Sequence, residues 1–186
     1  NSGSYKIPRG GVSDGEYAYY PLNVMGSKTS KIVKYSFLTN SVVKESEAIT
    51  LCSGNQYSQT PGNLFIYKDY IYQILLDGSF KVFNKELEEV NLENKLSLSL
   101  PSGTIYDVEY NAKLNKFAIA TKGKAIYFAN ENDGNITIDN TQHLVALDAN
   151  YAFNDIASDD EYIYVVGGQD NVTQACIYVY DWNGNY

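Results

Sequence analysis

The chain has 186 residues and a net charge of −8, and Arg9 is the one arginine among its 14 basic residues. That balance disfavours nucleic acid as a partner, because phosphate binding needs clustered Lys and Arg, and it leaves no means of building an arginine cluster. With no run of eighteen apolar residues, no membrane insertion is expected.

Tyrosine is abundant: 18 residues, about three times a typical ~3% usage. Such residues favour pleated, half-buried surfaces, so an all-β class is expected. Residues 1–4 read as a flexible lead-in. Ile7 to Val12 is a short strand broken by glycine, Ser13-Asp14-Gly15 turns, and Glu16 to Val24 is the next strand. Lys31 to Phe37 and Ser41 to Ile49 complete a four-stranded meander, with Thr39-Asn40 turning between them. A link rich in turn formers, Cys52 to Gly62, leads to Leu64 to Tyr67, Tyr70 to Leu76, Phe80 to Asn84 and Val90 to Leu96. The last of these has helix-forming Glu and Leu, but its apolar residues keep period two, so a strand is expected. A third set follows at Thr104 to Tyr110, Phe117 to Thr121, Ala125 to Ala129 and Ile136 to Asp139. The fourth is Tyr151 to Ala157, Glu161 to Val166 and Cys176 to Tyr180, closed by the turn Asp181-Trp182-Asn183-Gly184.

The fourth set repeats the first. At an offset of 145 residues Ser13, Asp14, Glu16, Tyr17, Tyr19, Ile32, Tyr35 and Asn40 fall without a gap on Ser158, Asp159, Glu161, Tyr162, Tyr164, Ile177, Tyr180 and Asn185. Tyr17, Tyr70, Phe117 and Tyr162 then lie at steps of 53, 47 and 45 residues. That is the period of a β-propeller blade of four antiparallel strands. The expectation is one propeller domain over residues 1–186, with blades near 5–52, 60–101, 102–145 and 149–186. The fourth blade stops where its outermost strand should begin. This suggests part of a larger propeller completed by further chain or a partner, the alternative being a four-bladed ring lacking that strand.

Tyr164-Val-Val-Gly-Gly168 followed by Ile177-Tyr-Val-Tyr-Asp181 resembles a kelch blade. Val12-Ser-Asp-Gly-Glu-Tyr17 with Lys31-Ile-Val-Lys-Tyr35, and Tyr106-Asp-Val-Glu-Tyr-Asn111 before Asn115-Lys-Phe117, give a wider pattern. It is similar to the propeller heads of tail receptor-binding proteins from phages of low-GC Gram-positive bacteria. The resemblance implies a non-catalytic module gripping cell-wall glycan, on the virion surface or otherwise extracellular, and a homotrimer.

Propeller ligands bind at one end of the central channel, among loops and innermost strands. There Asp107 and Asp155, 48 residues apart, are equivalent. As a functional pair they could do general acid and base work on a glycosidic bond; as a structural pair they tie neighbouring blades by hydrogen bonds. Tyr20, Tyr57, Tyr151 and Trp182 lie near loops or strand ends. Each could stack on a sugar ring while nearby amides bond its hydroxyls, although packing is the commoner role. His143 stands alone, no Gly-x-Ser-x-Gly occurs, and Asp159-Asp160-Glu161 and Asn130 to Gly134 read as turns, so no metal or cofactor is expected. Cys52 and Cys176 read as two small semi-buried thiols. The functional alternatives are a glycan-binding module, a carbohydrate-active enzyme using Asp107 and Asp155, and a kelch-like protein scaffold.

Overall fold

The computed structural model describes residues 6–8, 10–24, 28–51, 63–75, 77–93, 95–98, 100, 105–121, 125–145, 151–169 and 175–186. Every regular element among them is a strand. The chain divides into two compact units, Asn1–Glu93 and Asn94–Tyr186, each carrying two blades.

In the first unit, blade 1 contains β1 (Lys6–Pro8), β2 (Val12–Ser13), β3 (Tyr17–Val24), β4 (Thr29–Ser36), β5 (Ser41–Glu45) and β6 (Ile49–Thr50). β1 and β2 both pair with β3, and β5 and β6 both pair with β4. Innermost and outermost strands are thus each split in two, and the expected four-strand meander is kept. The inner split follows from Gly11. A Cβ there would stand 2.7 Å from the Tyr19 carbonyl oxygen, so only glycine lets the backbones approach this closely.

Blade 2 contains β7 (Leu64–Tyr67), β8 (Tyr70–Ile74) and β9 (Phe80–Phe83) in antiparallel order. The strand expected over Val90 to Leu96 is not formed. After β9, Asn84 Oδ1 accepts the amides of Glu86 and Glu88, and Leu87 takes a positive φ of 58°. The return is a single bridge between Phe83 and Glu89, with Val90 donating to the Val82 carbonyl. Period-two leucines were not enough to hold a strand that Asn84 had already turned. Blades 1 and 2 share one core: Tyr19, Ile32, Ile49 and Leu51 from the first meet Leu64, Ile71, Phe83 and Leu87 from the second.

In the second unit, β10 (Ser97–Leu98), which lies within the span expected for blade 2, pairs in parallel with the outermost strand of blade 3. Blade 3 is β11 (Ile105–Asn111), β12 (Lys116–Thr121), β13 (Ala125–Asn132) and β14 (Asn135–Val145), giving the sheet order β10-β14-β13-β12-β11. Blade 4 is β15 (Tyr151–Ser158), β16 (Tyr162–Gln169) and β17 (Ala175–Asp181). The joint between these blades buries Ala118, Ala120, Ile126 and Phe128 against Ile156, Ile163, Val165, Tyr180 and Trp182. At about 1.5–3 kcal/mol per large apolar side chain, each joint is a principal source of stability. A blade alone cannot bury its faces, and a neighbour supplies the cover. The fold class is therefore the expected one: all-β, built of antiparallel β-propeller blades.

Candidate functional site

The second unit brings Asp107 and Asp155 together. Within β11, period two sends Asp107, Glu109 and Asn111 to the same side, and each meets blade 4. Asp107 and Asp155 are joined side chain to side chain by a hydrogen bond. Ser158 Oγ donates to Glu109 Oε2 at 2.9 Å, and Asn111 Nδ2 donates to the Asp160 carbonyl at 3.1 Å. The result is a polar ladder of three rungs along the innermost strands of blades 3 and 4.

Burial sets the protonation of this ladder. Asp107 is buried and Asp155 half-buried. Desolvation, the hydrogen bond to Asp155 and the nearby carboxylates of Glu109 and Asp155 all push the Asp107 carboxyl well above its ordinary range. The Val108 amide, donating to Asp107 Oδ1 at 2.9 Å, works in the other direction. Glu109 is pushed up to about 7, chiefly by burial and further by the Asp155 charge, against the Ser158 hydroxyl that favours its ionised form. Burial therefore favours the protonated form of Asp107, which can donate a hydrogen bond. Asp155 also accepts the Ile156 amide through Oδ1 at 3.2 Å.

Both readings of the pair thus have physical content: it ties two blades, and it offers a donor and an acceptor at a half-open edge. Glu109 carries no mark in the repeat, since its equivalent 48 residues on is Ala157. Only its i, i+2 spacing from Asp107 on a strand could have found it.

Trp182 is 2% exposed and belongs to the joint between blades 3 and 4. Its Nε1 donates to the Asp159 carbonyl at 3.0 Å. Burial of an indole whose N–H is already paired leaves no ring face for a sugar, which corrects its assignment as a ligand-stacking residue. Tyr20 is half-buried in β3, in the first unit. Tyr151 begins β15, and Tyr57 lies outside the described residues, as does Cys52.

Among the described residues no group of three or more His, Cys, Asp or Glu is disposed to hold a metal ion. Asp159 is a turn residue: Oδ1 accepts the amides of Glu161 and Tyr162 at 2.8 and 2.7 Å, and Oδ2 accepts the Tyr164 hydroxyl at 2.7 Å. Asp14 does the same for Glu16, Tyr17 and Tyr19 in blade 1.

No family model and no curated protein matches this chain. Solved structures do. The computationally designed Ika4 protein is similar with a TM-score of 0.52 at 13% identity, over 97% of this chain and 94% of that one. The WD40 beta propeller domain of Doa1 is similar with a TM-score of 0.52 at 13% identity, over 97% of this chain and 52% of that one. For Kuenenia stuttgartiensis hydrazine synthase the TM-score is 0.53 at 10% identity, over 90% of this chain and 43% of that one. The chain thus spans nearly all of the first and about half of each of the other two. At these identities the likeness shows the propeller fold alone.

Proposed function

We propose that this chain is a non-enzymatic binding module for glycan on a bacterial surface, as in the head of a phage tail receptor-binding protein. The observation that carries the reading is the pairing of Asp107, whose carboxyl is raised by burial, with Asp155, the half-open member. A neutral polyol asks for adjacent donors and acceptors rather than full charges, and a carboxyl beside a carboxylate offers both. The competing glycosidase would need its two carboxyls about 5–5.5 Å apart for retention, or more for inversion. Asp155 acts on the Asp107 carboxyl at the short range of a hydrogen-bonding group, which speaks against that spacing.

The test is binding of the labelled protein to purified Gram-positive cell walls, before and after chemical removal of teichoic acid. Loss on stripping supports a glycan receptor, and Asp155→Asn should then change affinity only modestly. Absence of binding to both preparations, or turnover of a glycoside abolished by Asp155→Asn, would overturn it.

A further inference from the structure

A strand at the border of a sheet presents unpaired amides and carbonyls, and folded chains blunt such borders with charges, bulges or cover. The outer borders of blades 1, 2 and 3 are blunted in these ways. In blade 1, β5 carries Lys44 and Glu45, and a bulge interrupts its register with β4 between Lys34 and Tyr35. In blade 2, the side of β9 is taken by the bridge from Phe83 to Glu89 and by the Val90 amide on the Val82 carbonyl. Lys81 of β9 also grips both carboxylate oxygens of Glu89 at 2.9 and 2.7 Å. In blade 3, β10 lies along β14.

β17 of blade 4 has none of these. Among the described strands its one neighbour is β16, and their register runs without a bulge from Tyr162 and Asp181 to Gly168 and Ala175. Ala175 to Tyr180 contains no charged residue and no proline. The bonds of Asp181 fix which way the backbone groups point. Its amide donates to the Asn185 carbonyl at 2.9 Å and its carbonyl accepts the Gly184 amide at 3.0 Å, so both face the turn beyond β17 and away from β16. Alternation along an antiparallel strand sends the amides and carbonyls of Val179, Ile177 and Ala175 the same way. The side chains of Ile177 and Val179 are 67% and 39% exposed, on the face opposite Tyr180, which is sealed in the joint with blade 3. This border is apolar, straight and, among the described residues, unpaired.

We infer that β17 is a dimerisation border, covered by β17 of a second copy lying antiparallel to it about a two-fold axis at Ile177. A two-fold contact requires a border complementary to itself. The three residues with outward groups not used by the turn are Ala175, Ile177 and Val179, and Ile177 is their centre. The axis there sets Ile177 opposite Ile177 of the second copy and each Val179 opposite Ala175, so outward groups meet outward groups as a bonded ladder demands. Placing the axis at Tyr178 instead would set Ala175 opposite Asp181, whose outward groups are already spent in the turn. The chosen register also sets two exposed isoleucines side by side and brings no charge into the ladder of a chain that carries −8.

The experiment is equilibrium sedimentation of the whole chain over about 10–500 μM, a range suited to the weak association that a small interface gives. The wild type should pass from its 20.8 kDa mass toward twice that value as concentration rises. Val179→Pro removes an outward amide and no bond to β16, so it should weaken association at least about 10-fold with unchanged β circular dichroism. Leu114→Lys, at an exposed position in the turn between β11 and β12, should leave association unchanged. Ile177→Cys should oxidise to a dimer linked through position 177, because bonded antiparallel partners stand about 5.5 Å apart between Cα atoms, within disulfide range. Val179→Cys should not, since Ala175 is its opposite number. A chain that stays monomeric throughout would overturn the inference and leave the border to a strand of another protein. So would the trimer that the phage-head resemblance implies, dimers that survive Val179→Pro, or crosslinking of Val179→Cys as fast as of Ile177→Cys.

Discussion

The indole N–H of Trp182 has to find an acceptor once the ring is buried, and the Asp159 carbonyl, in the turn before β16, is that acceptor. Trp182→Phe should therefore cost about 1–2 kcal/mol from the lost hydrogen bond and the smaller ring. Trp182→Ala should cost about 3–5 kcal/mol, since it opens a cavity in the joint between blades 3 and 4. Urea unfolding followed by circular dichroism measures both; equal losses would mean the ring contributes little packing. Asp107 and Glu109 pose the opposite problem, because they hold protons that the unfolded chain would release. Folding takes those protons up, so stability falls as pH rises from the ordinary carboxylate range, near 4.5 for a glutamate, to about 7, where Glu109 ionises in the folded state as well. Above that the Glu109 penalty is fully present, up to about 3 kcal/mol. Asp14 and Asp159 are held below their ordinary range and lose their contribution only at lower pH, so they do not mask this window. Glu109→Gln keeps a polar partner for Ser158 and should flatten the decline between pH 5 and 8 in urea midpoints. An unchanged profile in that variant would sink the assignment.

At the level of elements, the most legible feature was the turn shared by blades 1 and 4. Ser-Asp-x-Glu-Tyr-x-Tyr recurs because a carboxylate there closes the turn with two amides and a tyrosine hydroxyl at once. Asp159→Ala should lower the unfolding midpoint slightly, since water can take up the exposed amide donors it frees. Asp14→Ala should cost more, because Asp14 is half-buried and also meets Lys85 of blade 2 at 3.4 Å. The order of the two midpoints in thermal unfolding checks this, and the reverse order would refute it. The least legible element was the end of blade 2. Alternating leucines after Val90 satisfied the strand pattern, but which sheet receives a strand depends on partners far along the chain. Ser97 and Leu98 join Asn135 and Ile136, a register that no local pattern encodes. Gly11 was legible as an interruption, although the reason for it, the nearby Tyr19 carbonyl, lies in the adjoining strand.

For the molecule as a whole, the repeat could be read from sequence because each blade must solve the same burial problem, whereas the candidate site could be read only in part, because the repeat marks no residue at which the blades differ. Asp107 and Asp155 were found through equivalence, and Glu109, which breaks it, was missed. Trp182 was misassigned because a turn position says nothing about the neighbouring blade that covers it. The charge of the chain gives the last prediction. With −8 overall and a single arginine, the net charge of the chain opposes its approach to a polyanionic cell wall. If the chain holds its glycan by shared hydrogen bonds at Asp107 and Asp155, long-range electrostatics oppose the encounter and salt relieves that opposition. Binding to teichoic-acid-bearing walls should therefore hold or strengthen as salt rises from about 0.05 to 0.5 M, across which the Debye length falls from roughly 14 to 4 Å. A cosedimentation series over that range measures it. A fall in affinity with salt would mean that lysines grip the wall, and the carboxylate pair would then be a tie between blades and nothing more.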